Sequence, residues 1–337
     1  MKKPRWKSQR VTIKDIARLA NVDPSTVTRA LQGSERVKKS TRQSIEKIAA
    51  EVGYVPSVAA RTLVMKRSQL VGVVIPDMTN PFFAELARGI EDEAAKNNLR
   101  ILIRNTEGQQ LAEKDAIKLF MELDVDGLLV PMARCPKEFY ERLEESCPVI
   151  HVNRLDAKYH VSCDSLRGAR MVMDHLIDHG HRRIAFVNGP SGPVKEPKMA
   201  AYKAALNDNG IHFEENLIFE FDGALQSTKE IGNQLLSLKT RPTAVFAWND
   251  ICAIGLIHAL NEQGLSVPGD ISVAGHDDIL LAGSVLPPLT TVHWPMYELG
   301  QESVRYLLGL RAGYEPRAPE MHKPSLVVRA STGPVPS

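Results

Sequence analysis

Within the stretch Pro24 to Leu31, Ser25, Thr26, Thr28 and Arg29 fall on the outer side of a predicted helix, and Val27 with Ala30 or Leu31 falls inward. Short hydroxyls and one guanidinium, without bulk, suit hydrogen bonding to base edges and phosphates in a major groove. A second candidate chemistry is metal binding at His175-Leu176-Ile177-Asp178-His179, with His181 nearby. The acid there is Asp178, beside the second His, rather than a Glu beside the first. Gly180 ends the segment, where polar side chains favour a helix dipole, so no metal is expected. No phosphate-loop, dinucleotide or nucleophile-elbow string occurs, and Gly189-Pro190-Ser191-Gly192 falls one residue short of the last. We therefore expect neither a catalytic set nor a cofactor.

The elements that position the polar helix are legible around it. Ile13, Ile16, Ala17 and Ala20 recur at helical spacing, with Thr12 placed to cap them. Asn21 can take the left-handed conformation that ends a helix, and Asp23 can cap the next one, with Pro24 at its first position. A third helix, about Ser40 to Val52, shows Ile45, Ile48, Ala49 and Val52 on one face and stops at Gly53. Together these make a three-helix helix-turn-helix head. From Leu70 onward, short apolar runs alternate with amphipathic helices, the pattern of parallel sheets with helices on both faces. The runs fall at 70–76, 101–103, 127–130, 149–152, 184–187, 244–247 and 271–274. These are too many for one five-stranded lobe, so two lobes sharing a cleft are expected, with ligand binding beyond the strand carboxyl ends.

Charge follows the same division. The chain of 337 residues has a net charge of only +2, yet residues 1–68 hold 16 Lys and Arg against 5 Asp and Glu, and the remainder 26 against 35. A basic segment joined to an acidic body points to a polyanionic partner for that segment. A hydrophobic content of 43% excludes disorder as the default state. Cys135, Cys147, Cys163 and Cys252 lie far apart, which fits reduced core thiols rather than a zinc ribbon or a disulfide framework. With neither an apolar leader segment nor a membrane-length apolar run, the expected location is cytoplasmic.

The run Thr12-Ile13-Lys14-Asp15-Ile16-Ala17, then Asn21-Val22, Ser25-Thr26-Val27-Thr28-Arg29, Thr41-Arg42 and Gly53-Tyr54-Val55-Pro56, resembles the head-piece of the LacI/GalR family of bacterial repressors. The resemblance continues through Pro76-Asp77-Met78-Thr79-Asn80-Pro81-Phe82-Phe83, Gly180-His181-Arg182-Arg183-Ile184-Ala185, Asn249-Asp250, Asp277-Asp278 and Pro288-Leu289-Thr290-Thr291. It implies an all-α helix-turn-helix head with a hinge helix, followed by an α/β, two-lobed domain similar to periplasmic sugar-binding proteins, with parallel sheets. The implied layout is a basic tail (1–11), a head (12–55), a hinge (56–69) and an effector domain (70–332). The lobes would be 70–163 with 297–323, and 164–295 with 324–332.

By the same resemblance Pro24, Ser25 and Arg29 read bases, while Asn21, Thr26 and Thr28 contact phosphate or position the helix. Pro24 lacks a donor, so it either meets a thymine methyl or spaces the helix. Ser57, Ala59, Ala60 and Leu63 would form the hinge: the alanines let two hinge helices approach, and Leu63 wedges a minor-groove step. A plain interdomain linker is the alternative. The effector cleft would be lined by Phe82 or Phe83, Asn153, Lys198, Asn249 and Asp277, with either Phe alternatively a core residue. Trp248, next to Asn249, is a further candidate.

Two departures from the family pattern bear on the ligand. Lys198 stands where Arg is usual and lacks its bidentate fork. His276 stands where Tyr or Phe often precedes the Asp pair. Both lean toward a sugar acid or sugar phosphate over a neutral sugar. The expected assembly is a homodimer reading a pseudopalindromic double-stranded operator as a repressor, with the effector biasing the hinge helices. The rival is a periplasmic-type solute-binding protein without a DNA role; the basic head and the lack of a leader segment argue against it.

Overall fold

The computed structural model describes residues 11–31, 34–54, 67–190, 197–313 and 318–336. The expectations for Ser57, Ala59, Ala60 and Leu63, and for nearly all of the tail, lie outside these residues. The chain divides into two compact units between Ser68 and Gln69.

The first unit is the three-helix head. Helix α1 (Ile13–Ala20) begins at Thr12, whose hydroxyl accepts the Asp15 N–H, while the Asp15 carboxylate accepts the Thr12 N–H at 3.0 Å. This reciprocal cap satisfies two of the donors that a helix start leaves open. Thr12→Ala should lower the head's unfolding free energy by about 1 kcal/mol, measurable by denaturant titration of a head fragment followed by circular dichroism; no change would mean that the cap is redundant. Asn21 ends α1 at φ 51°, in the left-handed region. The Asp23 carboxylate then accepts the Ser25 N–H at 2.8 Å and opens α2 (Pro24–Leu31). Helix α3 (Lys39–Glu51) closes a core of Ile16, Ala17, Val27, Ala30, Val37, Ile45 and Ala49. Leu31, the other candidate for the inner side of α2, is only partly buried against that core.

The second unit carries two parallel sheets. In the first, β1 (Leu70–Ile75), β2 (Arg100–Asn105), β3 (Leu128–Pro131), β4 (Val149–Val152) and β5 (His160–Val161) lie in the order β2-β1-β3-β4-β5. In the second, β6 (Ile184–Asn188), β7 (Ile218–Glu220), β8 (Ala244–Phe246) and β9 (Ser272–Ala274) lie in the order β7-β6-β8-β9. Every pairing within the two sheets is parallel. The central strands β1, β3, β4 and β8 are buried throughout, as strands covered on both faces must be.

The helices between strands are α4 (Pro81–Lys96), α5 (Gln110–Glu122), α6 (Lys137–Glu144), α7 (Ser165–Asp178), α8 (Pro197–Asp208), α9 (Ser227–Ser237), α10 (Asp250–Glu262) and α11 (Met296–Arg311). Strands β10 (Thr291–His293) and β11 (Ser325–Val327) pair antiparallel. Strand β10 leads into α11, which packs on α4 of the first sheet, whereas α7 packs on α8, β10 and β11. The chain thus crosses between the sheets after β5, after β10 and before β11. All four cysteines are buried thiols. Among the described residues no helix is long and apolar enough to cross a membrane.

Candidate functional site

On α2, Pro24, Ser25 and Arg29 are exposed and Thr26 and Thr28 half-buried, while Val27 and Ala30 root the helix in the core. Asn21 is exposed at the preceding turn. Arg29 donates from Nε to the Ser25 carbonyl at 3.1 Å and from Nη2 to the Ser25 hydroxyl at 2.7 Å. One helical turn apart, the two side chains form a single polar unit, and the remaining guanidinium N–H groups stay available as donors. Thr28 donates to the Pro24 carbonyl at 3.0 Å. Hydrogen bonds from Ser25 hold the Asp23 carboxyl below its ordinary range, so this helix start keeps its acid ionised.

In the larger unit, both sheets reverse strand order at their first strand. The second sheet does so between β6 and β8, the kind of point where open α/β sheets leave a crevice. Asn188 ends β6, and Trp248 and Asn249 follow β8. The Asn249 side chain accepts the Cys252 N–H at 2.9 Å and caps α10. Lys198, on α8, is buried; its Nζ donates to the Trp248 carbonyl at 2.7 Å and stands 3.9 Å from the centre of a Trp248 ring. A cation so placed is attracted to the ring quadrupole.

Gly189 makes that arrangement possible. A Cβ there would come within 2.1 Å of the Trp248 indole, so Gly189→Ala should push the indole aside. We expect a shift in Trp emission and loss of ligand binding at unchanged secondary structure; an unmoved spectrum would show that the indole has room to adapt.

The loop after β9 completes the cluster. Asp277 adopts φ 125°, where an L side chain is rarely found. Buried Asp250 clamps this loop: its N–H donates to the His276 carbonyl at 2.9 Å, and its carboxylate accepts the Ile279 N–H at 2.8 Å and the Thr291 hydroxyl. Burial pushes the Asp250 carboxyl up to about 6. Asp278 is bound by Arg329 at 2.6 Å and by His293 at 3.0 Å. Burial raises the Asp277 carboxyl well above its ordinary value, opposed by the Lys198 charge. Burial and the same lysine hold His276 well below its ordinary value, so its ring is neutral. His276 therefore supplies no positive charge, which removes half of the argument for an anionic ligand.

Lys198, Trp248, Asn249, His276 and Asp277 are thus gathered at the carboxyl ends of the second sheet. Phe82 and Phe83, at the start of α4, are 7% and 8% exposed and pack edge to face within the apolar core. Phe82 reaches the cluster through Trp294, whose ring centres lie 6.0 Å from Phe82 and 5.1 Å from His276. Asn153 follows β4 of the first sheet at φ 60°; its Oδ1 accepts the Cys163 N–H at 3.0 Å, and its Nδ2 is buried without a partner. Trp294 Nε1 and His276 Nε2 are likewise buried without partners. Trp294 and Asp250 were missed from the sequence. Asp250 stood in plain view beside Asn249, and Trp294 marks the end of a crossing strand just before Pro295.

His175, His179 and His181 serve the fold. They bond Thr332 at 2.8 Å, the His175 carbonyl at 2.8 Å, and Thr243 with the Gly333 carbonyl at 2.9 and 3.0 Å.

With both arrangements described, comparison with known proteins is specific. The sequence model for bacterial regulatory proteins of the lacI family matches residues 12–57, and that for a periplasmic binding protein-like domain matches residues 173–332. The chain is 37% identical over 306 residues to the catabolite control protein A of Priestia megaterium, covering 88% of this chain and 91% of that protein. It is 34% identical over 333 residues to the transcriptional repressor CytR of Escherichia coli strain K12, covering 96% and 97%. The lac repressor dimer bound to operator and the anti-inducer ONPF superposes with a TM-score of 0.86 at 28% identity, over 96% of this chain and 100% of that one. A capped helix-turn-helix with exposed hydrogen-bonding side chains, a unit with two parallel sheets, and relatives matched along nearly their whole length agree: the chain belongs to the lacI family of bacterial regulatory proteins, DNA-binding transcriptional regulators that answer to small-molecule effectors.

Proposed function

We propose that the chain is a repressor that reads a pseudopalindromic operator as a homodimer and releases or grips it according to a sugar bound in the larger unit. The observation that supports operator reading most is the Ser25–Arg29 unit, exposed on a helix whose opposite face is locked in the head core. In this reading Arg29 and Ser25 contact base edges, with Pro24 at their rim, and Asn21, Thr26 and Thr28 position the helix on phosphates. In the same reading Ser57, Ala59, Ala60 and Leu63, within 56–69, contribute to the minor-groove contact.

The effector lies between a lobe built on the first sheet (70–163 and 297–323) and one built on the second (164–295 and 324–332). Lys198, Asn249 and Asp277 supply donors and acceptors, Trp248 and Trp294 supply aromatic faces, and Asn153 and Phe82 or Phe83 border the other side. With His276 neutral and Asp277 offering a carboxyl, a neutral hydroxylated sugar fits better than a sugar acid or phosphate. Calorimetry on the intact protein with matched neutral sugars, sugar acids and sugar phosphates tests this. Binding confined to the anionic members would overturn it.

Dimerisation is supported by Leu280, Leu281 and Leu286, crowded into segment 280–286 with Leu280 and Leu286 89% and 84% exposed. Clustered exposed leucines of this kind mark an interaction surface. Leu280→Asp with Leu286→Asp should shift sedimentation from dimer to monomer and weaken operator binding; an unchanged dimer would place the interface elsewhere.

A further inference from the structure

Helix α11 runs from the cluster at the second sheet to the point where the chain enters the larger unit. Its first residue, Met296, follows Trp294 by two positions, and the Trp294 ring lies beside Phe82 and His276. Its last residue, Arg311, donates from Nη2 to Asp126 Oδ2 at 2.7 Å. A helix of 16 residues covers about 24 Å, so one element reaches both places.

Asp126 Oδ2 also accepts the Gln69 N–H at 2.9 Å. A single oxygen therefore joins the end of α11 to the first residue of the larger unit. The Arg311 and Asp126 side chains are 12% and 8% exposed, largely shielded from water. Gln69 adopts φ 59°, a left-handed conformation that a residue other than glycine keeps where its surroundings hold it. Asp126 holds its N–H, and its carbonyl accepts the Arg100 N–H at 2.9 Å.

Packing around α11 sets what can move. Against α4 the contact is backbone on backbone: a Cβ at Gly300 would come within 2.3 Å of the Leu86 carbonyl oxygen, and one at Gly89 within 2.1 Å of the Tyr297 carbonyl oxygen. These helices move as one body, and α4 carries Phe82 in its first turn. Against the sheet the contact is a side chain: Leu307 lies over Gly127, where a Cβ would come within 2.4 Å of it. Side-chain contacts of this kind permit the small sliding by which packed helices shear.

We propose, on the reading that a sugar in the larger unit governs operator binding, that Arg311 and Asp126 are the positioning residues through which the sugar acts on the hinge segment 56–69. A sugar that displaces Trp294 and Phe82 shifts α11 and α4 along the sheet. Arg311 draws the Asp126 carboxylate with it. Gln69, its N–H released, leaves the left-handed region and redirects the chain entering β1. Gln69 is thus the two-state element whose equilibrium both ligands bias. Neither Arg311 nor Asp126 touches sugar or DNA in this account, so losing them uncouples the two ligands without removing either site.

The test uses the full chain, the duplex that it enriches from a random pool, and glucose, galactose, ribose and maltose as probes. Titrating the duplex with and without each sugar that calorimetry finds to bind gives a coupling factor, which is typically about 5- to 150-fold in allosteric proteins. Arg311→Met should bring that factor to within about twofold of unity while both ligands still bind. Arg311→Lys, which keeps the charge, should retain most of it. Arg183→Met removes a partly buried ion pair with Glu214 at the amino end of β6 and should leave the factor unchanged. Should Arg311→Met fail to fold, the double variant Asp126→Asn with Arg311→Met leaves no buried charge unpaired and should show the same loss. A wild-type factor in the folded Arg311 variant, or an equal loss in Arg183→Met, would overturn the assignment alone. A wild-type protein that enriches no duplex, binds none of the sugars, or holds its duplex equally with and without them would overturn the reading beneath it as well.

Discussion

Arg29→Ala should lower the preference for operator over random duplex by about 10- to 100-fold, the worth of one good bidentate base contact. Arg29 is exposed, its guanidinium is oriented by two bonds to Ser25, and both residues stand on a helix fixed by Val27 and Ala30. Truncation removes the donors proposed to read bases and also releases the Ser25 hydroxyl from its partner. The loss should concentrate at particular base pairs, because phosphate contacts made by other residues stay in place. The slope of affinity against salt should fall by no more than about one charge. Binding titrations against single-base variants of the operator measure both quantities. Equal weakening on every duplex, random ones included, would remove Arg29 from the base-reading role and leave it a phosphate contact.

Lys198→Met should raise the effector dissociation constant by about 10- to 100-fold while leaving operator binding by the ligand-free protein intact. Methionine keeps the stem against Trp248 but loses the ammonium, which bonds the Trp248 carbonyl and is the charge that opposes the rise of Asp277. Without it the Asp277 carboxyl should move further up, toward the protonated form, which turns one oxygen into a donor and accepts more weakly from a sugar hydroxyl. The sign of the stability effect follows. A carboxyl raised in the folded state contributes stability fully below its unfolded value and loses that contribution as pH rises through the folded value. The variant, raised further, should therefore fall further behind the wild type as pH increases above the ordinary carboxylate range. Unfolding curves at several pH values, alongside calorimetry, check both expectations. A gap that narrows with rising pH would show that Lys198 is not the counterion of Asp277.

Much of the scaffold was legible because local chemistry decided it. The Thr12 cap, the left-handed Asn21, the Asp23 start and the stop at Gly53 each draw on a short list of residue types at one position, and each falls as read. The fully buried strand Val149–Val152 was legible to the residue, because three of its four side chains are β-branched and apolar, with His151 the exception. Strands β5, β7, β10 and β11 were not read, because two or three residues such as His160-Val161 or Thr291-Val292-His293 carry no period. Their strand state comes from neighbours far away in the chain.

The site divides in the same way. Residue types proposed to line the cleft could be named from resemblance, but their charge states could not. His276 looks like a cation in sequence and is neutral once buried beside Lys198. Trp294 becomes visible only when β10 carries it between Phe82 and His276. The unpartnered ring nitrogens of His276 and Trp294 had no signature in the sequence, because a missing partner is a property of packing alone.

The central claim joins two events, operator reading by the head and ligand capture in the larger unit. Its most direct test is selection of duplexes from a random pool by the intact protein, repeated with and without a panel of sugars. The account expects enrichment of one two-fold symmetric sequence, with recovery that changes sharply in the presence of the sugar that calorimetry identifies. No enriched sequence under any condition, or an enriched sequence whose recovery ignores every sugar the protein binds, would contradict it.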